Sequence, residues 1–444
     1  MALVVTAAAV LVAAAGAYPW AAPPLAAISA LLFLWSRAEP LRDRETRALD
    51  ASLIAAIAIV GFQLVPLPTG ALSAISSATV PLQDTIALEP YGAWRPLSVL
   101  AAKTRISILL AISGVLIFWS ARAALARGGT RTTIRGLAFV GTILAASAIA
   151  LQVVAPPGVL WDPLRTNVYT RPWGPFIDRN HLATWLVMAL PLVTSLWLVT
   201  ATDPAFSALP ARIRILRALL NNRTVGLVIA IGLMLTALIA TLSRSGAVAL
   251  LSAVVCAGLM ARGPKRARLG LAAVAMALLA AVALWLNADG IARRVEQTFD
   301  SRPGSVSRPT IWRETLRIVR DFPVAGTGAG TFPDTMLQYQ TRNQEALFNH
   351  AHDEPLQLLA EGGVLLLGAV MVALGFFVHQ LRRLLREDGG SSRQLRIGAA
   401  ASVAAVAVQS IWEIGLHMPA NLVLLAIAAA LALRPARGGS METQ

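Results

Sequence analysis

Apolar segments of about the length that spans a lipid bilayer recur along this chain, and they restrict its fold more than any other feature. A membrane helix needs about 20 mostly apolar residues. Twelve segments approach that length: 2–18, 21–36, 51–67, 106–121, 136–155, 181–200, 224–242, 246–261, 269–286, 363–379, 398–413 and 419–433. Only 14% of the 444 residues are charged, whereas soluble domains carry about 25%. We therefore predict an all-α polytopic membrane protein with about 12 transmembrane helices.

The distribution of Lys and Arg predicts how these helices are oriented. With a cytoplasmic N-terminus, the short inner loops and the tail hold 23 Lys and Arg, and the short outer loops hold 7. This asymmetry follows the positive-inside rule. Membrane insertion therefore explains the formal net charge of +15, which does not indicate nucleic-acid binding. The polar clusters described next all fall on the outer side, which argues against ATP or nucleotide sugars as substrates.

Three regions follow from this topology. We expect residues 1–287 to contain spans 1–9, residues 288–362 to form a large outer loop, periplasmic or extracellular, and residues 363–444 to contain spans 10–12 and a cytoplasmic tail. The loop contains an amphipathic helix in "RPTIWRETLRIVRDF" and glycine-rich turns in "VAGTGAGTF". So small a segment has little core of its own. We expect this loop, the only outer segment large enough to fold, to pack on the bundle as a lid.

The stretch "FNHAHDEPLQLLAEGG", residues 348–363, gathers titratable side chains at the start of an apolar helix. Asp353 is a predicted N-cap, with Pro355 in the first turn, where a missing N–H costs nothing. His352 then precedes a helix N-terminus, which favours the neutral imidazole of a general base and attracts phosphate. A metal site with His350, His352 and Asp353 would need further ligands, and a solvated loop is the third interpretation. We favour catalysis or substrate contact.

Arginines at the outer ends of the predicted spans suggest an anion site. Arg179 opens a span in "FIDRNHLATW", and Arg244 lies between two spans that are joined by almost no loop. An arginine costs roughly 3 kcal/mol toward the bilayer centre, so it normally has a partner or a task. Its planar fork suits a diphosphate. Arg308 and Arg313 on the lid helix are further candidates for this site, and we call the arginines that would hold the diphosphate the clamp. The alternative interpretation is that these side chains snorkel, so that their charged ends reach lipid phosphates.

Glu413 and His417 lie in "WEIGLHMPAN" at the outer end of the eleventh span. An acid at this place either orients a histidine or pairs with an arginine. The "GTGAG" run at 326–330 indicates no particular function, because glycine-rich turns are common.

Five segments, in order, resemble one known family. They are "GPFIDRNHLATWLVMALPL", "TLSRSGAV", "RPTIWRETLRIVRDFPVAGTGAGTF", "HAHDEPLQLLAEGGV" and "EIGLHMPAN". Between residues 174 and 425 they resemble the O-antigen ligase and polymerase superfamily. The resemblance implies a GT-C-like helical fold and a glycosyltransferase that moves a glycan from undecaprenyl diphosphate to an acceptor hydroxyl. It implies no metal and no other cofactor, and an active site on the periplasmic face of the bacterial inner membrane.

The resemblance also implies roles for particular residues. The family's proposed general base corresponds to His352, and its arginine motifs correspond to Arg244 and Arg308. The histidine motif of the family usually reads H-x-H-N, and this chain has Asp353 in place of that asparagine; Asp caps a helix equally well. The residues expected to bind the diphosphate or the glycan are Arg179, Asn180, His181, Arg244, Arg308, Arg313, His350, Asp353 and Glu413.

The sequence does not separate a ligase, whose acceptor is lipid A–core, from a polymerase, whose acceptor is the sugar end of another repeat unit. We expect the ligase and keep an O-antigen or exopolysaccharide repeat-unit polymerase as the alternative. A membrane transporter is the second alternative. Transporters place ionisable groups near the bilayer midplane, whereas these spans are nearly free of charge at their centres.

Overall fold

The structure, a computed structural model, describes residues 1–13, 15, 18–86, 92–154, 172–201, 222–262, 308–341 and 347–435. The helices in chain order are α1 (Ala2–Val12), α2 (Ala22–Ser36), α3 (Arg47–Phe62), α4 (Thr69–Ile75), α5 (Thr79–Ile86), α6 (Ala101–Ala126), α7 (Thr130–Val154), α8 (Arg179–Ala201), α9 (Asn222–Ala240), α10 (Arg244–Met260), α11 (Arg308–Asp321), α12 (Phe332–Tyr339), α13 (Glu354–Glu387), α14 (Gly390–Gln409) and α15 (Pro419–Ala432). Two short antiparallel strands, β1 (Pro66–Pro68) and β2 (Trp94–Pro96), pair with Pro66 opposite Pro96.

The described chain is a helical membrane protein, as the apolar segments predicted. Five of its helices are long and apolar enough to cross a membrane: Pro19–Ser36, which includes α2, and α6, α7, α8 and α13. Shorter apolar helices lie at Ala2–Val12, Thr224–Ala240, Arg244–Met260 and Pro419–Ala432. A helix overlaps each predicted span that falls on described residues, although α1, α3 and α14 end several residues before their predicted spans do. The predicted ninth span, 269–286, lies outside the described residues, and the count of twelve spans stays a prediction.

Helix α8 lies at the centre of the bundle, and small residues let α14 approach it closely. A Cβ at Gly398 of α14 would overlap the side chain of Ser195 on α8. The hydroxyl of Ser402 donates a hydrogen bond to the carbonyl of Met188 at 2.6 Å. Close backbone approach and interhelical hydroxyl bonds are the main means of joining helices in lipid. This packing fixes the first turn of α8 beside the last turn of α14.

The bundle has two chemically different ends. At one end, which we call the arginine-rich end, Arg122 bonds the buried carboxylate of Asp50 at 2.7 Å, and Arg396 bonds Asp388 at 2.7 Å. Here α6 and α13 finish and α14 begins. The opposite end, which we call the site end, contains the first turns of α8, α10, α13 and α15.

The described residues 66–86 and 92–100 pack against the segment that begins at residue 308, which corrects the expectation that the loop at 288–362 would be the only outer segment to fold. One apolar cluster joins the two: Leu82, Val99, Ile311, Ile318, Phe322, Phe332, Met336, Phe348, Ala351 and Ala360. The amide of Val99 donates to the carbonyl of Thr327 at 2.8 Å. No local pattern predicts this association, because it joins segments more than 200 residues apart.

The glycine-rich "GTGAG" loop seals a break in α13. Gly363 has φ 60° and ψ −167° inside this helix, so the regular hydrogen bonding stops there. The loop replaces it: the amides of Thr327 and Gly328 donate to the carbonyls of Ala360 and Glu361, each at 2.9 Å. On the other side, the amide of Val364 donates to the carbonyl of Pro323 at 2.9 Å. The predicted division between 362 and 363 lies at this break, within one helix.

Replacing Gly363 by alanine is expected to lower the thermal unfolding temperature strongly. An L-residue in the left-handed region costs about 1–2 kcal/mol, and a Cβ here would also overlap the carbonyl of Val324. Gly368→Ala, on the same helix with no heavy atom within 4 Å of its Cβ, is the control and should melt no lower than the wild type. Equal melting of the two variants in detergent would contradict the packing described here.

Candidate active site

Four of the five histidines of the chain meet at the site end. His181 lies in the first turn of α8, His350 and His352 precede α13, and His417 ends the 3₁₀ turn Gly415–His417 before α15. His181 lies within electrostatic reach of His352, His417 and Glu413. The fifth histidine, His379, is exposed near the other end of α13. Segments that are far apart in sequence therefore converge on one group of imidazoles and carboxylates.

His352 is held in a strained turn at the N-terminus of α13. The carboxylate of Asp353 accepts a hydrogen bond from the amide of Leu356 at 2.8 Å, which confirms the predicted N-cap, and Pro355 lies in the first turn. His352 itself has φ 53°, a conformation that costs a residue with a Cβ about 1–3 kcal/mol and is concentrated at functional sites. The indole of Trp312 donates to the carbonyl of Ala351 at 2.9 Å and fixes the approach to this turn.

The carboxylate of Glu413 faces His352 and is paired with the guanidinium group of Arg308. The Nδ1 atom of His352 lies 3.8 Å from Oε2 of Glu413, whose side chain is 3% exposed. Arg308, at the start of α11, bonds the other oxygen of the same carboxylate. Nδ1 is buried and makes no hydrogen bond, so a small shift toward Glu413 would satisfy both groups. Glu413 thus faces a histidine and pairs with an arginine, which were the two roles that its position suggested.

Two further histidines have opposite charge states. Burial, reinforced by the charge of His417, lowers the pKa of His350 to about 2, so His350 is neutral. Burial alone would lower the pKa of His417, but the carboxylates of Glu354 and Glu361 outweigh it and raise that pKa to about 9. Nε2 of His417 lies 3.2 Å from Oε2 of Glu354, and its ring packs edge-on against His350 with centroids 5.0 Å apart.

The ion pair of His417 with Glu354 is expected to make stability depend on pH. Because the folded pKa of about 9 exceeds the ordinary value of 6.5, the pair stabilises the fold fully below pH 6.5 and loses this contribution as the pH rises through 9. Glu354→Gln should therefore flatten the fall in melting temperature between pH 6.5 and 9. Glu45→Gln, which removes the half-exposed partner of Arg383 at the other end, is the control. An unchanged pH slope in Glu354→Gln would contradict the pairing.

The remaining predicted residues differ in how they face the site. Arg179 and Arg244 begin α8 and α10 at the site end, and both side chains are exposed. Asn180 is half-buried, and its backbone N–H donates a hydrogen bond to Oδ1 of Asp178 at 2.7 Å. Arg313 lies on the exposed face of α11, five residues after Arg308. The structure thus brings His350, His352, Asp353, Arg308 and Glu413 together with His181, places Arg179, Asn180 and Arg244 at the same end, and leaves Arg313 on an outer surface.

The sequence analysis missed three buried polar residues of α13, namely Glu354, Gln357 and Glu361. All three are less than 10% exposed. Their spacing of three and four residues places them on one helix face, and this pattern was the available signal. It was hidden because polar residues in the first turns of a helix at a membrane surface are ordinarily solvated.

The metal interpretation named His350, His352 and Asp353 as ligands. Among the described residues, no group of three or more His, Cys, Asp or Glu side chains is arranged to hold a metal ion. His350 already accepts a hydrogen bond at Nδ1 from Gln357 at 3.3 Å, and Asp353 is occupied as the helix cap.

A separate cleft of about 230 Å³ lies at the arginine-rich end, far from His352. Its lining includes Glu39, Asp43, Glu45, Trp119, Arg122 and Gln380. The buried acid beneath it, Asp50, accepts hydrogen bonds from Trp119 and Arg122. The acids Glu39 and Glu45 of the lining also pair with arginines, Arg42 and Arg383. We do not assign the transfer chemistry to this cleft.

Comparison with known proteins identifies a family for the central part of the chain. Residues 229–371 match the family model described as O-antigen ligase. The matched region includes Arg244, Arg308 and the whole His350–Asp353 turn. No curated protein matches the chain.

Proposed function

Because the chain belongs to the O-antigen ligase and polymerase superfamily, we propose that it transfers a glycan from undecaprenyl diphosphate to an acceptor hydroxyl, as an O-antigen ligase does with lipid A–core. The observation that carries this proposal is the arrangement of three side chains beside the N-terminus of α13: His352 faces the carboxylate of Glu413, and the same carboxylate pairs with Arg308. We assign the reaction to the periplasmic face of the inner membrane. The concentration of arginines at the opposite end supports that orientation through the positive-inside rule.

In the proposed reaction, the acceptor hydroxyl attacks the anomeric carbon of the donor, and the bond from that carbon to the diphosphate breaks. Nε2 of His352 takes the proton of the hydroxyl. Nδ1 faces Glu413, whose carboxylate would stabilise the imidazolium that forms, as the acid of a catalytic triad does. The products are the glycosylated acceptor and undecaprenyl diphosphate. A single displacement with no covalent intermediate inverts the configuration at the anomeric carbon.

The diphosphate leaves with more negative charge than it had in the donor, and the site end is suited to hold that charge. The first turns of α8, α10, α13 and α15 lie there, and helix N-termini attract anions. Arg179 and Arg244, which are both exposed residues, begin two of these helices. We assign them to the clamp, with Asn180 and His181 beside them. Arg308 bonds Glu413 in this state, and 40% of its side chain remains exposed, so it is able to contact a diphosphate as well.

No metal takes part in the proposed mechanism, because the arginines and helix ends supply the positive charge that stabilises the leaving group. His352 supplies the proton acceptor. The acceptor site is assigned to the surface formed by the described residues 66–86, 92–100 and 308–341, which pack against the turn before His352.

A repeat-unit polymerase of the same superfamily is the alternative, since it needs the same donor, the same base and the same clamp. The acceptor alone separates the two. A transporter is the remaining alternative, and the position of the charged groups of the site at helix ends, rather than at helix centres, favours the enzyme.

Competing acceptors provide the test. Purified protein is incubated with undecaprenyl-diphosphate oligosaccharide, with and without EDTA, and is offered lipid A–core and lipid-linked repeat units together. We expect transfer to lipid A–core that EDTA does not reduce. Transfer to repeat units alone would identify a polymerase. Loss of transfer in EDTA that added metal restores would contradict the metal-free mechanism, and no transfer to either acceptor would favour the transporter.

A further inference from the structure

Gln357, one turn into α13, connects three groups around the histidine turn. It is 2% exposed. Its Oε1 accepts a hydrogen bond from the amide of Ala351 at 3.0 Å. Its Nε2 lies 3.2 Å from Oε1 of Glu361 and 3.3 Å from Nδ1 of His350. The orientation of the amide follows from these neighbours, because the oxygen must face an N–H group and the nitrogen must face a carboxylate.

Glu361 extends this connection to the glycine-rich loop. Its carboxylate accepts hydrogen bonds from the amide of Gly330 at 2.8 Å and from the amide of Phe332 at 3.2 Å. Its backbone carbonyl accepts one from the amide of Gly328 at 2.9 Å. The side chain is buried, and a buried carboxylate requires such partners. Glu361 is therefore fixed by the loop that seals the break in α13.

We infer that Gln357 is a positioning residue for the proposed transfer, because it ties the backbone that carries His352 to Glu361 and, through Glu361, to the glycine-rich loop. The inference rests on the proposed function. The turn at His352 has a left-handed backbone, which persists only where its surroundings hold it. The amide of Ala351, the residue before this turn, is bonded to Gln357, and its carbonyl is bonded to Trp312.

Both polar ends of the Gln357 side chain are needed for this role. An acceptor must meet the Ala351 amide, and a donor must meet both Glu361 and an unprotonated Nδ1 of His350. Burial lowers the pKa of His350 to about 2 and keeps the ring neutral. Its single ring proton is assigned to Nε2, because Nδ1 faces the Nε2 donor of Gln357. Among the uncharged side chains of this length, an amide supplies both ends.

Two substitutions test the inference in different ways. Gln357→Met keeps the length and removes both polar ends, so kcat should fall about tenfold to hundredfold through misplacement of His352. KM for the donor should stay within about threefold, since the clamp is untouched. Gln357→Glu keeps an oxygen that accepts from the Ala351 amide. The introduced carboxyl group donates a hydrogen bond toward Glu361 only while the two carboxyl groups share a proton. They share it at lower pH, because two adjacent buried carboxylates do not both ionise readily. Its kcat relative to the wild type should therefore fall as the pH rises from 5.5 to 8.5.

Leu358→Met, the next residue on α13, is the matched control and should keep wild-type kcat. Each variant is first melted in detergent to establish that it folds. The inference is overturned if folded Gln357→Met keeps full kcat, or if Gln357→Glu shows a constant ratio to the wild type across this pH range. The proposed function stands in that case, provided that the wild type transfers glycan and His352→Asn does not; an inactive wild type overturns both.

Discussion

Replacing His352 by asparagine is expected to lower kcat for glycan transfer by about 10² to 10⁴-fold, the usual contribution of a positioned general base. Asparagine is chosen because it tolerates the left-handed backbone that His352 adopts, so the turn itself should survive. KM for the donor should change little, because His352 meets the acceptor hydroxyl and the donor diphosphate is held elsewhere. Single-turnover transfer with a fluorescent donor separates this chemical step from product release.

His379→Asn is the control for this experiment. It removes an exposed histidine toward the far end of α13, the helix that His352 precedes, and it should leave kcat unchanged. If folded His352→Asn retains wild-type kcat, His352 is not the base, and the roles of Glu413 and Arg308 lose their basis.

The second large effect is expected where Arg308 meets Glu413. Arg308→Ala leaves the carboxylate of Glu413, 3% exposed, without its cation. Breaking a fully buried ion pair from one side costs about 3–5 kcal/mol, and the half-exposed arginine should reduce that cost here. Glu413→Gln introduced into the Arg308→Ala background should therefore raise the melting temperature again. Neither the single variants nor the double variant should recover wild-type kcat, because the group behind Nδ1 of His352 is lost or altered.

The measurement is a double-mutant cycle on both melting temperature and kcat. Arg317→Ala, an exposed arginine on the same helix, is the control and should change the melting temperature by less than about 1 °C. Additive losses of stability in the double variant would contradict the pairing. Recovery of kcat in the double variant would show that the pair serves the fold alone.

The features that could be predicted from the sequence are local ones. The apolar segments predicted the helices because a bilayer leaves a backbone few alternatives. The cap at Asp353, with Pro355 behind it, could be predicted because a cap depends only on residues within one turn. The candidates at His352, Arg308 and Glu413 followed from the positions of charged groups at span ends, together with the resemblance to a known family.

The features that escaped the sequence analysis are contacts between distant segments. The pairing of His417 with Glu354 joins residues 63 positions apart. The "GTGAG" run was uninformative because nothing near it in sequence shows that it completes the hydrogen bonding of a broken helix. The positions of Arg308 and Arg313 on the lid helix made both of them candidates for the anion site, and only the resemblance distinguished Arg308. In the structure Arg308 turns toward Glu413, while Arg313 lies on the exposed face of α11.

The central claim is that the site end of this protein breaks the bond between a glycan and undecaprenyl diphosphate. The most direct measurement counts both products in proteoliposomes that contain purified protein, an acceptor and a donor labelled in the lipid and in the glycan. We predict that undecaprenyl diphosphate appears in equal amounts with the glycosylated acceptor and that the new linkage has the inverted anomeric configuration. His352→Asn should slow the formation of both products by about 10² to 10⁴-fold. Movement of intact donor across the membrane, without release of undecaprenyl diphosphate, would contradict the account.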